Sequence, residues 1–126
     1  MLADFPAIPI LLSTDMAASK HFYQDTLGLP LLDESDERMV FKCGGDTRLI
    51  ISRSTVGTSD TQTQMVWRVP DIQAAIADLR ARGVRIEEYS EPDPVTTDSI
   101  ADMGHSWAAW FIDPSGNVVS VIELKG

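Results

Sequence analysis

Apolar positions recur along this chain in two rhythms, and the rhythms alternate. From Ala7 to Ser13, Ile and Leu crowd together without clean alternation, as in a strand covered on both faces. Behind Asp15, the residues Met16, Phe22, Tyr23 and Leu27 fall mainly on one side of a helix, and Gly28 stands where glycine ends one. Leu29 to Asp33 reads as a short strand. Arg38 to Cys43 and Thr47 to Arg53 flank Gly44-Gly45-Asp46, which predicts a hairpin. The polar stretch Ser54 to Thr61 then reads as a linker. After it the order repeats. Gln62 to Val69 is a predicted strand, and Asp71 caps a helix whose Ile72, Ala75, Ile76 and Leu79 keep the helical spacing. Gly83 closes that helix and Val84 to Tyr89 reads as a strand. Ser90 to Gly104 carries Pro92 and Pro94 and shows no period; such segments often lie over binding sites. Trp107 to Ile112 and Asn117 to Leu124 make a last hairpin around Asp113-Pro114-Ser115-Gly116.

The copies begin about 55 residues apart and predict two βαβββ units in an α+β fold. The 126 residues then form one domain, with module one over about 5–55 and module two over about 62–126. Two such modules packed together leave a cleft. Charge narrows what the cleft meets: at a net −9, nucleic acid phosphates are repelled. Asp33, Glu34, Asp36 and Glu37 form one acidic cluster, and Glu87, Glu88, Glu91 and Asp93 another. They read as solvated edges or as a rim attracting cations. No apolar run approaches the ~20 residues of a membrane span. The first residues lack a signal-peptide pattern and Cys43 is the single cysteine, so a cytoplasmic location is expected.

Three motifs in order carry a resemblance: His21-Phe22-Tyr23 with Leu27-Gly28-Leu29, Val69-Pro70-Asp71-Ile72, and Trp110-Phe111-Ile112-Asp113-Pro114-Ser115-Gly116-Asn117. Together they resemble the vicinal oxygen chelate superfamily, which includes glyoxalase I, extradiol dioxygenases, and fosfomycin- and bleomycin-resistance proteins. The resemblance implies a curved mixed sheet around a cleft and a homodimer. It also implies four metal-ligand positions, which fall here on Ile8, Ile50, Gln64 and Ser120. Two aliphatics, an amide and a hydroxyl do not hold a divalent cation, which needs imidazole, carboxylate or thiolate donors. His21, inside the first helix, and His105, in a loop, do not supply the deficit. No metal and no cofactor are therefore expected.

Strand alternation puts Ile8, Ile10 and Leu12, then Gln64, Val66 and Arg68, then Val118, Ser120 and Ile122 along the cleft, with Ile50 beside them. Arg68 pairs either with a ligand anion or with a protein carboxylate. Trp107 and Trp110 have opposite parity, and Trp110 is assigned to the cavity as a stacking surface. Cys43 has no activating neighbour. The leading expectation is a metal-free protein of the bleomycin-resistance type that sequesters an aromatic or cationic compound. An enzyme of the same fold using His105 or a cleft carboxylate, and a protein-interaction module, are the alternatives.

Overall fold

A computed structural model of the chain describes residues 1–59, 61–90 and 94–126. Among these, nine strands form two sheets in the order β1-β4-β3-β2 and β5-β9-β8-β7-β6. Module one contains β1 (Ile10–Ser13), α1 (Met16–Lys20), β2 (Leu31–Glu34), β3 (Arg38–Lys42) and β4 (Arg48–Arg53). Module two contains β5 (Met65–Arg68), α2 (Ile72–Ala81), β6 (Thr96–Thr97), β7 (Ile100–Asp102), β8 (Ser106–Ile112) and β9 (Val118–Leu124). In each module the first strand pairs in parallel with the last, β1 with β4 and β5 with β9. The repeat read from the sequence is thus a repeat of topology.

Both helices start as their aspartates dictate. Asp15 accepts from Ala18 N and Asp71 from Ala74 N, each at 3.1 Å, which satisfies an amide that has no partner inside the helix. The first helix does not continue as an α-helix. After Lys20, His21–Thr26 is π-helical, with Leu27 N donating to Phe22 O at 2.8 Å. In this widened turn Tyr23 is fully buried, Phe22 packs on the core, and the two rings meet edge to face at 5.1 Å.

One apolar core joins the modules. Leu11, Met39, Phe41, Leu49 and Ile51 of sheet one meet Ile72, Ile76 and Leu79 of α2, with Phe111 and Val119 of sheet two. Against the expectation of a first strand covered on both faces, the opposite face of sheet one is open at its β1 edge: Ile10 is 58 % exposed and Ile8, just ahead of β1, 45 %, while Leu12, Val40 and Ile50 are half-buried. The corresponding face of sheet two is covered, with Ala101, Ala108, Trp110 and Val118 buried and Tyr89 and Ile122 packed against them.

Two further expectations are corrected. Val84 to Tyr89 is not a strand. Val84 and Ile86 are buried as alternation required, but a single backbone bond, Glu87 N to Trp110 O, ties the segment to β8. The stretch read as irregular, Ser90 to Gly104, contains the hairpin β6–β7, which takes the edge position of sheet two. Its turn residues Asp98 and Ser99 have φ of 52° and 71° without a glycine, so the usual composition cue is missing. Residues 91–93, with Glu91, Pro92 and Asp93 of that stretch, lie outside the described residues, as does Asp60 of the linker.

The hairpin is held by its own polar cluster. Ser99, fully buried, receives Arg80 Nη2 at 2.6 Å and donates to Glu88 Oε1, while Thr96 Oγ1 reaches Glu88 Oε2 at 3.0 Å. The Ser99 and Thr96 hydroxyls hold the Glu88 carboxyl below its ordinary 4.5, with Arg80 adding a smaller pull in the same direction. A carboxylate depressed by folding contributes above the unfolded value and loses that contribution as pH falls through the lower folded one. Amide exchange over 96–102 is therefore expected to accelerate as pH falls below 4.5, once corrected for intrinsic rates. The Glu88→Gln variant should show no such step; an identical pH profile in both proteins would remove Glu88 from this role.

Candidate functional site

The covered face of sheet two opens into a groove of about 590 Å³. Trp110 and Ile112 of β8 and Val118 of β9 line it from the sheet, together with Glu87, Tyr89 and Met103. The Trp110 indole N–H donates to Thr63 Oγ1 at 2.8 Å, so the ring plane is set by the segment leading into β5. Tyr89 meets that ring edge to face at 5.6 Å. Burial raises the Tyr89 phenol, and the Glu87 carboxylate pushes it the same way. Glu87 also pairs with the exposed Arg85 at 3.3 Å. An aromatic pair with one carboxylate offers stacking and attraction for a cation at the same place.

A buried clamp positions this face. Asp113 closes β8 and accepts the Tyr23 hydroxyl at 2.6 Å, Asn117 Nδ2 at 2.8 Å, Asn117 N at 2.8 Å and Ser115 N at 2.9 Å. Asn117 Nδ2 also donates to Leu12 O at 2.7 Å. The turn thus fastens module two to the helix and first strand of module one. Burial raises the Tyr23 phenol above its ordinary value, and the Asp113 charge and hydrogen bond act in the same direction.

Residues 8–121 match the profile of the Glyoxalase/Bleomycin resistance protein/Dioxygenase superfamily. The chain belongs to that superfamily. The protein YraH of Bacillus subtilis is 25 % identical, the match covering 90 % of this chain and 94 % of YraH. TnmS3, an antibiotic binding protein from Streptomyces sp. CB03234, superposes with a TM-score of 0.70 at 21 % identity, covering 96 % of this chain and 98 % of TnmS3. Lactoylglutathione lyase from Agrobacterium tumefaciens superposes with a TM-score of 0.68 at 19 % identity, covering 94 % and 92 %. A binder and an enzyme share the glyoxalase-like fold, so this chain's own side chains must separate the two.

At the four positions to which the resemblance carries the metal ligands, the side chains are not metal donors of the usual kind. Gln64 is committed on both ends of its amide: Oε1 accepts Val118 N at 2.8 Å, and Nε2 donates to Thr58 Oγ1 at 3.2 Å and Asn117 Oδ1 at 3.3 Å. Ser120 is buried, with its hydroxyl donated to Ala109 O at 2.8 Å, so it secures the β8–β9 pairing instead of lining open space. Ile10 and Ile50 lie on sheet one and Ile8 just ahead of it, all outside the groove's lining. Among the described residues no three His, Cys, Asp or Glu side chains converge as a metal site. His21 is exposed and bonds Asp25 at 3.0 Å, and His105 is exposed outside the groove.

Of the residues assigned to the cleft, Trp110 and Val118 line the groove, with Gln64 beside it through its bond to Val118 N. Arg68 shares the sheet face but stands at the far end of β5, exposed and outside the groove. Trp107 faces the opposite side and packs against the core. Tyr89 and Met103 were not legible as site residues, because the segment carrying Tyr89 reads as an ordinary strand. Glu87 had one signal, its place in an acidic cluster. Cys43 is half-buried; burial raises its thiol and a Trp67 hydrogen bond offsets this in part, which leaves it a poor nucleophile.

Proposed function

We propose that the protein binds an aromatic, cationic small molecule in the groove over Trp110 and does so without a metal. One observation carries the reading: the ring pair Trp110–Tyr89 stands with Glu87 in a groove whose neighbouring side chains hold no metal-donor set among the described residues. TnmS3 is an antibiotic binding protein by name, and that adds weight to a sequestering role. The exposed isoleucines Ile8 and Ile10, beside the half-buried Ile50, support the homodimer that the family resemblance implies, since a second copy would remove them from water.

The test is a native mass spectrum of protein purified without chelator or affinity metal, followed by a thermal-shift panel of cationic, neutral and anionic planar aromatics. A dimer mass free of metal, with stabilisation confined to cationic rings, is the expected result. A stoichiometric metal in each subunit, or no response to any compound of the panel, would overturn the reading. Glu87→Gln should weaken binding of a cationic ring by about 1 kcal/mol at low salt and leave a neutral isostere unchanged, measured by calorimetry.

A further inference from the structure

A second cavity lies on the helix side of sheet two, apart from the groove and independent of its reading. It measures about 220 Å³ and sits where the end of the first helical segment meets α2 and β5. Its walls are apolar: Leu27 and Leu29 from module one, and Trp67, Leu79, Phe111 and Val121 from module two. Trp67 and Phe111 lie nearly parallel, with 10° between their planes and 6.2 Å between centroids. An apolar cavity of about 150 Å³ already takes up a benzene ring, so this one has room for a ring and a short polar group.

The rim supplies the polar group's partner. Asp78 is already bonded to Arg82 Nε at 3.0 Å, and Arg82 Nη1 reaches across to Thr26 O at 3.2 Å. Gly28, at φ +77°, leaves room for that reach; a Cβ there would stand 3.0 Å from Arg82 Nη1. Arg80 is engaged by Ser99 and Arg85 by Glu87. Arg68, also on the rim, has no hydrogen bond or ion pair with any described residue. The charged residues of the lining are Asp78, already paired with Arg82, and Arg68, whose guanidinium is left without a partner among the described residues.

An unpaired guanidinium beside an apolar slot specifies an amphiphile with an anionic head. The planar fork of Arg matches a carboxylate through two parallel hydrogen bonds, and the parallel rings of Trp67 and Phe111 favour a flat aromatic body. We propose that this cavity is a binding site for a monocyclic aryl carboxylate, its ring packed over Trp67 and its carboxylate held by Arg68. The site selects the opposite charge from the Trp110 groove.

Phenylacetate and its neutral isostere phenylacetamide are the probes, titrated into the ¹⁵N-labelled full chain up to on the order of 10 mM, a range that reads millimolar affinity. Saturable shifts of the Trp67 indole and of the Leu29 and Ala75 amides are expected with phenylacetate, and at least ~10-fold weaker binding with phenylacetamide. Arg68→Gln should bring phenylacetate down to the phenylacetamide affinity while leaving phenylacetamide unchanged; Arg68 is exposed, so the fold does not depend on it. Ala75→Leu, which fills the slot, should abolish both. No saturable shift, shifts confined to Trp110 and Tyr89, or equal affinity of acid and amide would each overturn the proposal.

Discussion

Asp113→Ala is expected to cost about 3–5 kcal/mol of folding stability, the largest effect of any single substitution considered for this chain. The carboxylate accepts four hydrogen bonds, from the Tyr23 hydroxyl, the Asn117 side chain and the backbone amides of Ser115 and Asn117. Tyr23 and Asn117 are fully buried, so water does not replace the lost acceptor. Each orphaned donor then costs about 1–3 kcal/mol. For a domain of this size the melting temperature should fall by roughly 10–20 °C. Tyr23→Phe removes one of the four bonds and leaves the turn intact, and should cost about 1–2 kcal/mol. Asp113→Asn should fall between, because its amide group meets donors where the lost oxygen met them. The double variant tests the mechanism: in chemical denaturation, Tyr23→Phe should cost much less once Asp113 is already alanine. An Asp113→Ala protein within 1 kcal/mol of the parent would show that the clamp is not what joins the modules.

Trp110→Ala is expected to weaken binding of the tightest cationic aromatic by about 1–3 kcal/mol, roughly 5- to 150-fold. The indole N–H is spent on Thr63 and Tyr89 packs against the ring, so what Trp110 offers a ligand is the small part of its surface, 6 %, left open to the groove. Trp110→Phe keeps a ring but drops the bond that orients it, and should lose less. Trp107→Ala removes a tryptophan from the other side of the same strand and should leave affinity unchanged. Trp110 is itself buried, so calorimetry belongs at a temperature where the variant's circular dichroism matches the parent's. Affinity unchanged in a folded Trp110→Ala protein would remove the ring from the site.

The two tryptophans also mark where reading the chain succeeds and where it stops. Their opposite parity follows from the two-residue period of a strand, and the structure places them on opposite faces of β8. Parity identifies the face but not what covers it. Trp110 is enclosed because Glu87 and Tyr89 cross β8 on a segment that makes one backbone bond to it, and alternation of Val84 and Ile86 cannot distinguish that path from a paired strand. The first helix shows a similar limit. Asp15 sets its start, yet the change to π geometry at His21 has no signal in spacing, since Phe22 and Tyr23 occupy core positions by packing.

What the sequence by itself determined is the set of features that nearest neighbours control. Asp15 and Asp71 cap helices because their carboxylates reach amides three residues on. Asp113-Pro114-Ser115-Gly116-Asn117 turns because Pro holds φ and Gly116 accepts +86°. From these units and their repetition the two-module fold and the superfamily follow. The tertiary structure alone decided how polar side chains were spent. Asp113 meets Tyr23 across 90 residues, Gln64 is consumed in bracing β9, and Ser120 turns its hydroxyl to Ala109. Arg68, assigned to the cleft by alternation, is the last residue of the edge strand β5 and lines another cavity. The physical reason is one of range. Caps and turns are settled within a few residues, whereas a buried donor or acceptor must be satisfied by whatever the packing brings to it.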